Sequence, residues 1–367
     1  MLLSLPLFLF RLFVLSVALI VSQSFAQDVV AEPPASLHPN SRWIAASWDD
    51  LAGAFEDDPR EALSAWLASC ARPQALWRKA CSELSALKNA DPEVIRIWMM
   101  GRLQPYRIEP LAGGASSNAG LLTGYYEPVL PARREADDVF RYPLYRLPAE
   151  LERGGSTRQW FTRQEIDTAG SQAQQALQGR AIAYLQSPLD VLALQIQGSG
   201  QLDLVQTDGS HQRIRLAFSG SNNQPYKSVG AWLRDTHGVR DLSWPGIKNW
   251  AMANPDQIDR LMWSNPRVVF FKESSASNEG PRGAQGLPLT AGRSIAVDPK
   301  SLPYGTPVWL VSSGASVNLK RLVLAQDTGA AIVGAVRADY YVGSGDVAGE
   351  IAGRLKQSLQ MWALWPK

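Results

Sequence analysis

The 367 residues carry 36 Lys and Arg against 34 Asp and Glu, with 46% hydrophobic residues, two Cys and three His. A balance this close to neutral argues against a nucleic-acid partner. His38, His211, His237 and the two Cys show no ligand spacing, so no metal or cofactor is expected. The length exceeds what one core usually covers, which makes two domains the expectation.

Residues 1–26 hold one charge, Arg11, followed by an apolar run from Leu12 to Val21 and by Ser24 and Ala26 at the small positions of a cleavage site. This reads as a secretory signal peptide cut after Ala26; ten residues are too few to span a bilayer. Cleavage leaves 35 basic and 34 acidic side chains. No Cys follows the apolar run to accept a lipid, so a free periplasmic protein is expected, its association with the outer membrane left open. Residues 27–40 carry three Pro and no periodicity, as in a flexible lead-in.

From Trp48 to about Arg102 the spacing is helical. DDPREALSAWLASC places acids ahead of apolar residues at three-to-four spacing, and ADPEVIRIWMMGRL repeats the signal with Asp91 as cap and Pro92 at the first helical position. Cys70 and Cys81 lie between these segments, and an exported compartment permits a disulfide. On one straight helix they would stand about 16 Å apart, beyond bridging distance. A helix, a turn at Ala71 to Pro73 and a second helix would let them meet; two buried free thiols are the alternative.

After Gly113 strand signals dominate: GLLTGYYEPVLPA, FRYPLYRLP, DVLALQIQGSGQLDLVQTDGSHQRIRLAFSG and NPRVVFFKE run or alternate apolar between Gly, Pro and Asn. TDGSH is a hairpin turn. Short helices are expected in TRQEIDTAGSQAQQALQG, SVGAWLRDTHG and NPDQIDRLMWS. From Leu287 strand signals alternate with Gly and Pro at close intervals, as in a small closed barrel, and a helix over DVAGEIAGRLKQSLQMWALW is expected to finish the chain.

Three aspartates end strand-like segments of this last region: Asp298 in SIAVDPKSLPYG, Asp327 in LVLAQDTGAAIVGA and Asp339 in VRADYYVGSG. An Asp in such a place is usually a turn former. Three together, in a chain poor in His and Cys, point to acid catalysis, because burial near a second carboxylate keeps an acid protonated. Asp327–Gly329 is the aspartic-protease triplet, but no second D-[ST]-G supplies the facing carboxylate. The G-x-G-x-x-A of VGSGDVAG lies too near the C-terminus for a dinucleotide fold. TGYYEP, QIQGSG and SGSNNQPYKSVG read either as ligand loops or as ordinary turns. Thirteen Trp and ten Tyr suit carbohydrate stacking, although large aromatics are mostly core.

RWIAASWDD, the paired Cys, LLTGYYEPVLPA, YPLYRLP, LALQIQGSGQL, RLAFSGSNNQPYKSVG, NPRVVFFKE, GLPLTAGRSIAVDPKSLPYGTPVWL, AQDTGAAIVG and ADYYVGSG together resemble, in order, the membrane-bound lytic murein transglycosylase A family. The resemblance implies a mainly β fold with N-terminal helices, in which a double-psi β-barrel domain (41–122 and 264–367) carries an inserted β-rich domain (123–263), with a groove between them. It implies an exo-acting enzyme that cuts the β-1,4 bond from N-acetylmuramic acid to N-acetylglucosamine in peptidoglycan, leaving a 1,6-anhydro ring. Matching motifs put Asp339 in the place of the catalytic acid, with Asp327 beside it. Thr123, Tyr125, Tyr126, Gln195, Gln197, Ser199, Asn222, Tyr226 and Asp298 are expected to bind substrate. Peptidoglycan glycan strands are the expected partner, the chain acting as a monomer, with a synthase or scaffold partner left open.

Two other readings compete. A noncatalytic peptidoglycan-binding protein of double-psi barrel type would release no sugar product. A two-carboxylate hydrolase would leave reducing ends and use Asp327 or Glu127 as its second acid.

Overall fold

The computed structural model describes residues 33–71, 73–111, 120–152, 158–275 and 279–367. The expected signal peptide, and the lead-in up to residue 32, lie outside the described residues. Fourteen strands and eleven α-helices follow in the described chain: β1 (Ser41–Ala45), α1 (Arg60–Ser69), α2 (Arg78–Ala86), α3 (Pro92–Arg102), β2 (Leu103–Pro110), β3 (Gly120–Glu127), β4 (Val129–Ala132) and β5 (Tyr142–Tyr145). Next come α4 (Ala149–Glu152), α5 (Arg163–Asp167), α6 (Gln172–Ala176), β6 (Ala181–Leu185), α7 (Pro188–Gln197), β7 (Gly200–Val205), β8 (His211–Ser221), α8 (Val229–His237), α9 (Trp244–Ala253) and α10 (Ile258–Trp263). The chain ends with β9 (Val269–Ser275), β10 (Ser294–Val297), β11 (Pro307–Ser313), β12 (Asn318–Asp327), β13 (Arg337–Ser344), α11 (Asp346–Arg354) and β14 (Lys356–Pro366).

Six strands close a ring in the order β3, β14, β11, β12, β10, β13 and back to β3, and β2 with β1 extends from β14. β14 is long enough to pair β3 through Lys356–Leu359 and β2 through Trp362–Pro366. Alternation along each strand separates two cores. Val308 and Leu310 of β11, Val323 and Ala325 of β12, and Leu359, Met361 and Ala363 of β14 fill the barrel. Trp309, Leu322, Leu324, Trp362 and Leu364 face outward and pack on α1–α3. β14 is therefore buried on both faces, which corrects the expected C-terminal helix: the helix stops at Arg354 and KQSLQMWALWP is a strand. Its near-continuous apolar run lost the period-2 signal because both faces need apolar residues.

The N-terminal helices form as their sequence requires. Asp91 accepts the Glu93 amide ahead of Pro92, and Asp58 accepts the Arg60 amide at 3.0 Å. α1 ends at Ser69 and α2 starts at Arg78, bringing the Cα atoms of Cys70 and Cys81 to 5.4 Å in a disulfide. The free-thiol alternative is excluded.

A smaller sheet runs β4-β7-β8-β9, with β5-β6 beside it. The TDGSH hairpin joins β7 to β8, with Gly209 at φ 80°. DVLALQIQ is not a strand but α7, apolar all round because Val191 and Leu194 pack on the smaller sheet while Leu189 and Leu192 pack on α8–α10. β3 stays with β13 as far as Glu127, and β9 pairs β8 through Val269–Ser275. Contacts hold the described residues from 33 to 367 together as one compact unit. Among the described residues no helix is long and apolar enough to cross a membrane.

Candidate active site

The site forms where four neighbouring barrel strands, β12, β10, β13 and β3, bring polar residues to one level. Ala296 of β10 pairs Asp339 of β13 on one side and Asp327 of β12 on the other. Asp339 in turn pairs Thr123 of β3 in parallel register. Two strand spacings of about 4.8 Å therefore separate the backbones of the two acids. An irregularity in the β10–β12 register makes this possible: Ile295 pairs Ala325, then Ala296 pairs Asp327, so Gln326 is skipped. Such a bulge re-aims the residue beyond it. The skipped Gln326 turns into the protein, donating to Ala65 O at 2.8 Å and to Ser69 Oγ at 2.9 Å, and accepting from Ser294 Oγ at 2.6 Å.

The two acids differ in how they are held. Asp339 Oδ1 accepts from Thr123 Oγ1 at 2.6 Å. Burial pushes Asp339 up to about 6 against the opposing pull of the Thr123 bond and Arg337, and the Asp327 charge adds to the rise. Asp327 is anchored on both oxygens: Oδ2 accepts from Tyr125 at 3.0 Å, and Oδ1 from the amides of Ala284 at 2.8 Å and Thr328 at 2.9 Å. Burial raises it too, those donors working the other way. Asp339 is thus the acid with oxygen to spare and a proton held to near neutral pH, whereas Asp327 is a fixed neighbour.

β3 supplies more of the wall. Tyr125 packs on Tyr341 with the rings tilted and their centroids 5.3 Å apart. Tyr126 lies against Gly349 of α11, where a Cβ would stand 2.8 Å from its ring, and Gly124 lets Ala352 approach as closely. Gln197, at the end of α7, accepts the Tyr126 amide at 3.0 Å. Ser199 follows Gly198, the left-handed cap of that helix, and is half-buried. Tyr226 is near enough for the Asp339 charge to help raise its phenol, after burial, so the loop before α8 reaches the site.

Three expected substrate ligands face inward instead. Gln195 is buried with its oxygen on Arg163 at 2.6 Å. Asn222 has no exposure; it donates to Phe161 O and Pro266 O, both at 2.8 Å, and accepts from the Val268 amide at 2.9 Å. Asp298 is 6% exposed and accepts from the amides of Lys300 and Gly334 at 2.9 and 3.0 Å. Burial raises it, but these donors prevail and its carboxyl is held low. Gln195 sits in the last turn of α7, Asn222 and Asp298 just beyond strand ends, and a sequence does not reveal whether such a polar side chain turns out to a ligand or in to brace its own neighbourhood.

Glu127 is no free second carboxylate. It has no exposure, pairs with Arg215 through Nε at 2.7 Å and Nη2 at 3.1 Å, and accepts from Gln201 and Ser344. This cluster ties β3 and β13 of the barrel to β7 and β8 of the smaller sheet. Arg337 was missed by the sequence reading. Its position two residues before Asp339 puts both on one face of β13, and it donates to Thr123 Oγ1 at 2.8 Å. Period-2 spacing from the acid was the signal available for it.

Two family models match the chain, the MltA specific insert domain over residues 121–272 and the 3D domain over residues 293–365. Over 264 residues the chain is 33% identical to the "Membrane-bound lytic murein transglycosylase A" of Vibrio cholerae, covering 69% of this chain and 67% of that protein. Among solved structures, the lytic transglycosylase LtgG of Burkholderia pseudomallei is 40% identical with a TM-score of 0.58, covering 89% of this chain and 96% of that one. Escherichia coli MltA with bound chitohexaose is 26% identical with a TM-score of 0.70, covering 88% and 94%.

Proposed function

This chain belongs to the membrane-bound lytic murein transglycosylase A family, and from that premise we propose that it cleaves the β-1,4 bond between N-acetylmuramic acid and N-acetylglucosamine with Asp339 as its single catalytic acid. Asp339, protonated, gives its proton to the glycosidic oxygen as the bond to C1 breaks. The carboxylate so formed takes the proton of the muramoyl 6-hydroxyl as that oxygen bonds to C1 and closes the 1,6-anhydro ring. No water is consumed and the acid returns to its starting state. Because the attacking hydroxyl belongs to the same sugar, its effective concentration is high and a second carboxylate has no task.

The observation that carries this reading is the contrast among the carboxylates. Asp339 keeps one oxygen unengaged by the described donors and is held protonated to about 6, whereas Asp327 and Glu127 are committed to their own donors. Asp327 acts as the charged neighbour that favours protonation of Asp339. Thr123 and Tyr125 orient the two acids; Tyr126, Gln197, Ser199 and Tyr226 face the glycan in a groove between a double-psi barrel domain and the smaller β-rich domain. The protein works in the periplasm as a monomer on glycan strands, released by cleavage after Ala26.

Purified peptidoglycan is digested with residues 27–367 and with the Asp339→Asn variant, and the unreduced products are read by mass spectrometry. Anhydro-muropeptides from the first and none from the second are expected. Reducing-end products would mean a hydrolase, and no products from either would mean a binder.

A further inference from the structure

Asp339 has two oxygens, and only one can hand a proton to the sugar; the groups that select it lie on β3 and β13. Arg337 and Asp339 share a face of β13, and Thr123 sits opposite Asp339 on β3. Arg337 Nη1 is pinned to the carbonyls of Ala338 and Leu121, which leaves Nη2 aimed at Thr123 Oγ1 at 2.8 Å. A guanidinium carries only donors, and a hydroxyl has one proton. Thr123 Oγ1 therefore accepts from Arg337 and its own hydrogen is directed at Asp339 Oδ1, 2.6 Å away.

Resting on the reading of Asp339 as the acid, we propose that Arg337 is a positioning residue that fixes the direction of the Thr123 hydroxyl, so that Oδ1 of Asp339 is kept as an acceptor and Oδ2 carries the transferable proton. Without Arg337 the Thr123 oxygen is open to accept the carboxyl proton, which would then rest on the threonine side, away from the glycosidic oxygen. The charged and titratable groups around Asp339 are Arg337 on its own strand, Asp327 from β12, Tyr125 from β3 and Tyr226 from the loop before α8, while β10 offers only Ala296. Arg337 is thus the one cation of this set, and its loss also moves Asp339 further up.

The test is the pH–rate profile of anhydro-muropeptide release by the wild type, Arg337→Met, Arg337→Lys, Thr123→Val and the double variant Thr123→Val/Arg337→Met, each verified as folded by circular dichroism. Arg337→Met is expected to lower the acid plateau by at least about tenfold, within the range of a misdirected general acid, and to move the falling limb to higher pH. Arg337→Lys, which keeps the charge, should return the limb toward its wild-type position even where the methionine variant fails to fold. In the Thr123→Val background the plateau effect of Arg337→Met should shrink to within about twofold, because residues acting through one bond are not additive. Equal plateau losses in both backgrounds, or a limb unmoved by either Arg337 substitution, would overturn the proposal. A wild type that yields no anhydro product would sink the transglycosylase reading and this inference with it; a wild type active as expected beside an Arg337→Met variant that matches it would sink the inference alone.

Discussion

Replacing Glu127 by Gln removes the charge opposite Arg215 while changing the side-chain shape hardly at all. Glu127 has no side-chain exposure and Arg215 has 8%, so the cation left behind is a buried one. Removing one partner of a buried pair costs about 3–5 kcal/mol, and the amide oxygen that remains as an acceptor argues for the lower end, about 3 kcal/mol. At about 2.1 cal/mol/K of unfolding entropy per residue, a chain of about 340 residues shifts by about 1.4 °C per kcal/mol, so the melting temperature should fall by about 4 °C. Calorimetry at pH 7 measures that shift, and anhydro-muropeptide release at 25 °C measures the chemistry, which should stay within about threefold of the wild type. Unchanged melting with release reduced by about a hundredfold or more would give Glu127 a catalytic task and refute the structural assignment. No change in either quantity would refute the clamp.

Further expectations concern the acids, the disulfide and the inward-facing amide. Asp339→Asn should lower release by at least about 10²–10⁴-fold, and in the wild type kcat/KM should decline as pH rises through about 6, where Asp339 loses its proton; an activity that rises through that range would contradict the acid role. The same group makes a stability prediction. Its folded value, raised above the ordinary 3.8 to about 6, gives a contribution that is full below pH 4 and lost as pH climbs through 6, about 3 kcal/mol in all. Asp339→Asn should consequently melt higher than the wild type at pH 8 and lose that margin by pH 4, in paired melts. Replacing Cys70 and Cys81 by Ser opens a loop whose closure contributes about 3 kcal/mol; melting should drop while kcat/KM at 25 °C is kept. Asn222→Ala should destabilise by about 2–3 kcal/mol, since Phe161 O loses its side-chain donor and the Val268 amide its acceptor, with KM for glycan unchanged. A KM increase at unchanged stability would return Asn222 to the substrate.

Much of the site was legible as residue types at strand ends. Asp327 and Asp339 each close or sit within a strand flanked by glycines, and Thr123 and Tyr125 lie in a segment whose alternation marks it as a strand. The polar side chains were harder. Gln195 and Gln197 lie in α7 and Asn222 just beyond β8, yet Gln195 points in to Arg163 and Asn222 to the carbonyls of Phe161 and Pro266, while Gln197 reaches β3.

The sequence by itself determined the local starts and stops: the Asp91–Pro92 entry to α3, the TDGSH hairpin, the break that lets Cys70 meet Cys81, and the strand ends at Asp298 and Asp327, though not the place of Asp339 inside β13. Each is written in adjacent residues and needs no distant partner. Tertiary structure alone decided that β14 and α7, buried on two sides, take the forms they do, and that the β10–β12 register skips Gln326 so that Asp327 and Asp339 flank Ala296. It also decided that Arg337 reaches Thr123. Burial on both faces erases the periodicity from which an element is read, and strand register is set by pairing between segments far apart in the chain, which no local pattern records.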